Sequence, residues 1–339
     1  MASFRNDYSY LAHERIIQAL SDLQNEKQIA YGLDIHSKNA SRLIKDKFNA
    51  RDSEVYFLAG GTQTNMTFIS YCLKNYEGVI SCDTGHINVH ESACIEGSGH
   101  KIITVKNIDG KLTPRQINEV MKIYNDEHMV KPGMIYISNF TEIGTIYQKQ
   151  ELIDLYQCAK DNGLYLFIDG ARLGSALTSS INDAEPSIYG QICDAFYIGG
   201  TKNGLLFGEA LVINNKALQK DFRYHIKNKG AMLAKGFTVG IQFEEMFKDD
   251  LYFELAKKTN LAAIELKEVL LKHQLKVHPT YTNQIFVTLK KELALLLIDK
   301  FELEKWSEDE KEMTIRFVTS FKTTSEDIKE VDEYLNKIL

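Results

Sequence analysis

The sequence predicts an α/β protein: a large domain (1–245) built on a mainly parallel central sheet, then a smaller C-terminal α/β domain (246–339). Three observations point that way. From about residue 55, short continuously apolar runs alternate with longer stretches of helical periodicity. Runs of that kind are strands buried on both faces by the helices that cross between them. After about residue 214 the pattern turns helical, and strand-like alternation returns only near the end. At 339 residues the chain is also long enough for one large core and a second, smaller one.

VYFL (55–58) opens the alternation and runs through Gly60-Gly61-Thr62 into the amphipathic segment TQTNMTFISYCLKNY. VISC (79–82) precedes a helix-like stretch from His86. KIITV (101–105) precedes TPRQINEVMKIYND, where Thr113 can cap a helix and Pro114 can take its first position. MIYISN (134–139) leads to a helix near 149–162, and LYLFIDG, AFYIGG and GEALVI supply three more strands. NKALQKDFRYHIKNK, KGFTVGIQFEEMF and a long segment over 250–273 are helical in pattern. LKVHP, QIFVTL and TIRFVTSF then read as strands, and a terminal helix follows from Thr324. No repeat, low-complexity tract or linker sharpens the domain boundary.

A net charge of −6 argues against a nucleic-acid binder, which would carry a basic excess, but leaves room for a local cationic pocket. Cys72, Cys82, Cys94, Cys158 and Cys193 are odd in number, form no CxxC pair and fall inside apolar elements, so they read as reduced core residues. The first twenty residues lack an apolar signal core, and no apolar stretch approaches the ~18 residues of a membrane span. The expectation is a cytoplasmic protein with no membrane partner.

In open parallel sheets ligands bind at the carboxyl ends of the strands, so polar residues just after predicted strands are the candidates. Gly60, Gly61 and Thr62 follow VYFL. Glycines there let a ligand approach the backbone, and free amides at a helix start favour phosphate, although a plain strand–helix turn reads the same way. His86 follows VISC and stands four residues before His90. A metal pair, an aromatic plate, an acid–base group and a structural histidine are all compatible, but HxxxHE is not a zinc motif, and no metal is expected. Asp169 ends five apolar residues, with Arg172 three later; this is either an ion pair closing a loop or a carboxylate for a protonated ring nitrogen beside an anion-binding arginine. Lys202 lies between Gly199-Gly200 and Gly204 at the end of another strand. Pyridoxal 5′-phosphate requires such a set: a lysine, an acid for the pyridine nitrogen, a phosphate site and a stacking surface.

These motifs, together with RNDYS (5–9), YGLD (31–34), IDGARLGSA, TKNG and TIRFVTSF, resemble the low-specificity L-threonine aldolases of the β-eliminating lyase group over essentially the whole chain. The resemblance implies the fold of aspartate aminotransferase (fold type I) and pyridoxal 5′-phosphate as cofactor. The implied activity is cleavage of L-threonine, L-allo-threonine and related β-hydroxy-α-amino acids to glycine and an aldehyde. The alternative is β-elimination, racemisation or transamination of another small amino acid. By the same resemblance, Lys202 forms the Schiff base and Asp169 meets the pyridinium nitrogen. Gly60, Gly61 and Thr62 hold the phosphate, and His86 stacks on the ring. Arg172 and Arg316 grip the substrate carboxylate, with Asn6 beside them, and His128 reaches the substrate hydroxyl. His86 or His128, or a water they hold, is the implied base. Lys227 and Lys235 fall where a neighbouring subunit supplies cofactor contacts, which implies a homodimer or homotetramer. Gly60, Thr201 and Ala234 depart from a hydroxyl residue, a serine and an arginine common in the family.

Overall fold

The computed structural model describes residues 2–339. Seven strands form the large sheet: β1 (Glu54–Leu58), β2 (Glu77–Cys82), β3 (Ile102–Val105), β4 (Lys131–Ser138), β5 (Tyr165–Asp169), β6 (Ala195–Gly199) and β7 (Glu209–Ile213). Their order is β1-β7-β6-β5-β4-β2-β3. β2 through β6 pair in parallel, and every residue of β2, β6 and β7 is buried, which is why their sequences show no alternation. β7 runs antiparallel to both its neighbours. Its first residue, Glu209, therefore lies opposite Leu58 on one side and Gly199 on the other, level with the carboxyl ends of β1 and β6.

A second sheet of four antiparallel strands, β8 (Lys276–Val277), β9 (Gln284–Lys290), β10 (Glu304–Glu308) and β11 (Glu312–Val318), has the order β10-β11-β9-β8. The edge strand β10 was not legible in the sequence. EKWSE holds one apolar residue among charged and polar ones and buries none of them, so only its pairing with β11 makes it a strand. The 22-residue helix Leu251–Lys272 joins the two cores: Leu251, Tyr252 and Leu255 pack in the large one, Leu266 and Leu270 in the smaller. Phe4, placed with the large domain by its sequence position, packs in the smaller core. Its amide donates to Phe301 O (3.1 Å), and its carbonyl accepts from the Val318 amide (2.8 Å).

Helix Pro114–Ile123 begins as expected, with Thr113 and Gln116 closing a capping box, and the helix expected near 149–162 is Lys149–Asp161. The stretch from His86 is not one helix. A single turn, His86–Val89, ends before Ser92 and Ala93 take left-handed backbone (φ 47° and 58°), and a second turn begins at Cys94. That break turns Glu91 inward. Among the described residues no helix is long and apolar enough to cross a membrane.

Candidate active site

Lys202 sits in the one-turn 3₁₀ segment Thr201–Asn203, just past β6. Gly204 ends the turn at φ +92°, a backbone conformation that favours glycine, and a Cβ there would also make the Leu255 side chain shift, since its Cδ1 would lie at 2.8 Å. Glu209 braces the turn from β7: its carboxylate accepts the Gly200 amide (3.0 Å) and the Thr201 hydroxyl (2.9 Å). Burial pushes the Glu209 carboxyl up to about 8, against the pull of these hydrogen bonds and of the Lys202 charge. The Lys202 amine has no hydrogen-bond or ion-pair partner among the described residues, and it lies over the Tyr8 ring at 5.9 Å. Burial first, then the Arg172 charge, lowers its pKa, opposed by Asp7, Glu142 and Asp169. A lysine so placed holds a larger fraction of free amine, the form that attacks a carbonyl.

Asp169 ends β5 and is 3% exposed. Its oxygens accept from the Ala171 amide (2.9 Å), Asn65 Nδ2 (3.0 Å) and the Tyr136 hydroxyl (2.5 Å). Burial raises its pKa, but the His86 charge and the tyrosines Tyr136 and Tyr197 outweigh that and hold the carboxyl below its usual range. Asn65 spends its other hydrogen on Glu91 (2.8 Å), which in turn meets His86 Nδ1 (2.7 Å) and accepts from Cys94 Sγ (3.0 Å). One buried chain thus links Asp169 to His86 through Asn65 and Glu91. Burial would lower the His86 pKa, but the hydrogen bond to Glu91, with the charges of Glu142 and Asp169, raises it. His90 faces the same cleft with its ring 5.5 Å from that of His86, and burial lowers its pKa.

Arg172 is clamped by Asp7, Nε at 2.6 Å and Nη2 at 3.0 Å, and Asn283 Nδ2 also donates to Asp7 (3.0 Å). The Asp169–Arg172 pair conceivable from spacing does not form. Nor does Asn6 reach the arginine: its side chain accepts from the Tyr8 amide and the Ser9 hydroxyl, closing a local turn, while the next residue, Asp7, makes the contact. Arg316 projects from β11 into the cleft and pairs with Glu304 of β10. Between Lys202, Arg172, His86, Glu142, Trp306 and Arg316 lies a cleft of about 630 Å³.

At the end of β1, Gly60 is extended and starts helix Gly61–Cys72 without a side-chain cap, which leaves first-turn amides for a ligand. A Cβ on Gly61 would come within 2.9 Å of the Tyr197 hydroxyl, whereas Gly60 faces open space. His128 is elsewhere. It is exposed on the loop before β4, and that strand's eight residues carry the chain roughly 25 Å to the cleft end at Ser138. The turn there hydrogen-bonds to Asp126 (2.9 Å). Lys227 and Lys235 also lie away from this chain's cleft, Lys227 over the Tyr31 ring at 5.0 Å. Sequence reading missed Asp7, Asn65, Glu91, Glu142, Glu209, Glu304 and Trp306. Only Glu91 carried a local signal, as the carboxylate following His90.

The donor set fits pyridoxal 5′-phosphate: an unpartnered, half-buried amine, a buried carboxylate held below its usual range, a helix start with no side-chain cap for phosphate, and two arginines lining the cleft. Residues 13–292 match the family described as beta-eliminating lyase. The chain is 31% identical over 254 residues to a low specificity L-threonine aldolase of Pseudomonas aeruginosa, covering 74% of this chain and 73% of that protein. A low specificity L-threonine aldolase of a second Pseudomonas species is 32% identical over 248 residues, 72% of this chain and 71% of its own length. The structure of Leishmania major threonine aldolase superposes with a TM-score of 0.97 at 40% identity, over 100% of this chain and 99% of that one. Cystalysin from Treponema denticola, solved with pyridoxal 5′-phosphate, is 16% identical and shares the fold, with a TM-score of 0.74 over 99% of this chain and 90% of its own.

Proposed function

This chain belongs to the beta-eliminating lyase family, and from that premise we propose how its cleft works. The protein is a pyridoxal-phosphate-dependent lyase that cleaves L-threonine, L-allo-threonine and related β-hydroxy-α-amino acids to glycine and an aldehyde. The observation that carries the reading is the unpartnered, half-buried Lys202 amine lining one cleft with two arginines. Pyridoxal phosphate, when bound, supplies the sink for the electron pair released from the Cα–Cβ bond.

The chain's own residues do the rest. Lys202 would anchor the cofactor, Asp169, held below its usual range, would meet the ring nitrogen, and the Gly60–Thr62 helix start would hold the phosphate. His86, kept protonated more readily by Glu91, would cover the ring. Arg172 and Arg316 orient the substrate carboxylate, which sets the bond that breaks. His90, not His128 of the same chain, takes the hydroxyl proton, because its pKa is lowered and it lines the cleft.

Supplying purified enzyme with L-threonine, L-allo-threonine and phenylserine should yield glycine and the matching aldehyde in equal amounts. Ammonia and a keto acid without aldehyde would sink the reading and favour β-elimination.

We further propose a cytoplasmic homodimer or homotetramer, with domains dividing near residue 245. Large exposed side chains support the assembly: Ile29, Tyr31, Leu33 and Ile35 stand on one segment, tied by Tyr31 to Ala234 and Arg223, with Tyr224 79% exposed beside them. Lys227 and Lys235 belong to that surface and would serve the neighbour's site. Sedimentation as a monomer would overturn the shared-site reading.

A further inference from the structure

The two arginines of the cleft hold their carboxylates in different ways. Asp7 is 1% exposed on its side chain, uses both oxygens on Arg172 and also serves Asn283. It cannot leave without stranding a buried guanidinium and a buried amide. Glu304 is 37% exposed, and Arg316 is its one hydrogen-bond partner. It stands directly across from Arg316 on the edge strand β10, whose pairing slips between Lys305 and Ser307, and both residues line the cleft.

Arg316 itself is incompletely satisfied. Nη2 meets Glu304, Nη1 reaches Gln284 Oε1 only at 3.5 Å, and the buried Nε has no acceptor. The Trp306 ring lies 5.4 Å from the guanidinium, which fixes its plane without supplying an acceptor. A guanidinium edge of this kind is built for a bidentate carboxylate, and Glu304 fills half of it.

We propose that Glu304 is a displaceable occupant of the Arg316 anion subsite, exchanged for the substrate carboxylate when an amino acid binds. The inference rests on the reading of Arg316 as a carboxylate anchor. Before binding, Glu304 keeps the arginine from lying in the cleft as an uncompensated cation. An incoming carboxylate that spans Nε and Nη2 gains a hydrogen bond that Glu304 does not make. A ligand also held through its amine reaches that geometry at little further entropic cost, whereas a lone carboxylate must displace Glu304 unaided. Glu304 therefore weakens all anions but weakens amino acids least, making it a specificity residue rather than a catalytic one.

The test is a titration of the cofactor-loaded enzyme with glycine, read from the change in cofactor absorbance, with acetate as a competitor. Glu304→Gln is expected to lower the glycine Kd about three- to tenfold, the range of a partly exposed ion pair to a charged hydrogen bond, and to strengthen acetate competition at least as much. The KM for L-threonine should fall in step while kcat moves less. Unchanged or weaker glycine binding, with cofactor absorbance intact, would overturn the exchange and make Glu304 a brace for Arg316. Arg316→Ala separates this from the underlying reading. Unchanged glycine affinity in that variant overturns the carboxylate anchor itself, whereas weakened affinity in both variants overturns the exchange alone.

Discussion

Lys202→Ala is expected to give a folded protein that lacks the visible absorbance of bound cofactor and has lost activity by a factor on the order of 10³ or more. The size of the effect follows from what the residue lacks as much as from what it is. Its amine has no partner in the chain, so its removal breaks no hydrogen bond, and deleting a desolvated cation near Arg172 costs the fold little. The thermal midpoint should therefore stay close to that of the wild type, which separates loss of function from loss of structure. Lys305 also lines the cleft, but it rises from the far wall on β10 and pairs with Glu308 at 2.7 Å, so it is no ready substitute. Retention of both absorbance and aldehyde release in Lys202→Ala would overturn the assignment.

Asp169→Asn should produce the second largest effect, and of a different kind. The substitution keeps the shape and removes the charge. Lys202 and the phosphate cradle still retain the cofactor, so absorbance remains, but turnover should fall about 10²–10³-fold, the scale of losing one preorganised electrostatic group. The fold pays as well. Tyr136, Asn65 and the Ala171 amide all donate to this carboxylate, and the single oxygen of an amide cannot replace both of its oxygens, so about 1–3 kcal/mol of stability should go with the charge. Measuring kcat and denaturant stability together checks both halves. A variant with turnover within a few-fold of wild type would show that ring-nitrogen charge is not controlled from Asp169.

Much of the site was legible because parallel strands announce their carboxyl ends. The buried runs of β5 and β6 stop at or just before a charge that cannot be buried cheaply, Asp169 and Lys202, and β1 runs into the turn glycines Gly60-Gly61. The misses share a cause. Glu209 escaped because β7 is reversed, so its amino end, not its carboxyl end, reaches the ligand side. Glu91 escaped because the left-handed backbone at Ser92 and Ala93 breaks the helix that its spacing implied. His128 was placed by likeness of position, while β4 carries it to the wrong end of the sheet.

Hydrophobic periodicity, turn glycines and a few stranded polar residues are local properties, and from them the sequence predicted its layered α/β architecture and singled out Gly60, Asp169 and Lys202 as candidates. Pairings such as Asp7 with Arg172, Asn65 with both Asp169 and Glu91, and Glu304 with Arg316 join residues far apart in the chain or on neighbouring strands. No local pattern encodes them, because each depends on strand order, register and the packing of two cores against one another. The charge states that make the cleft work depend on the same packing, since burial and neighbouring charge arise only once the chain has closed around them.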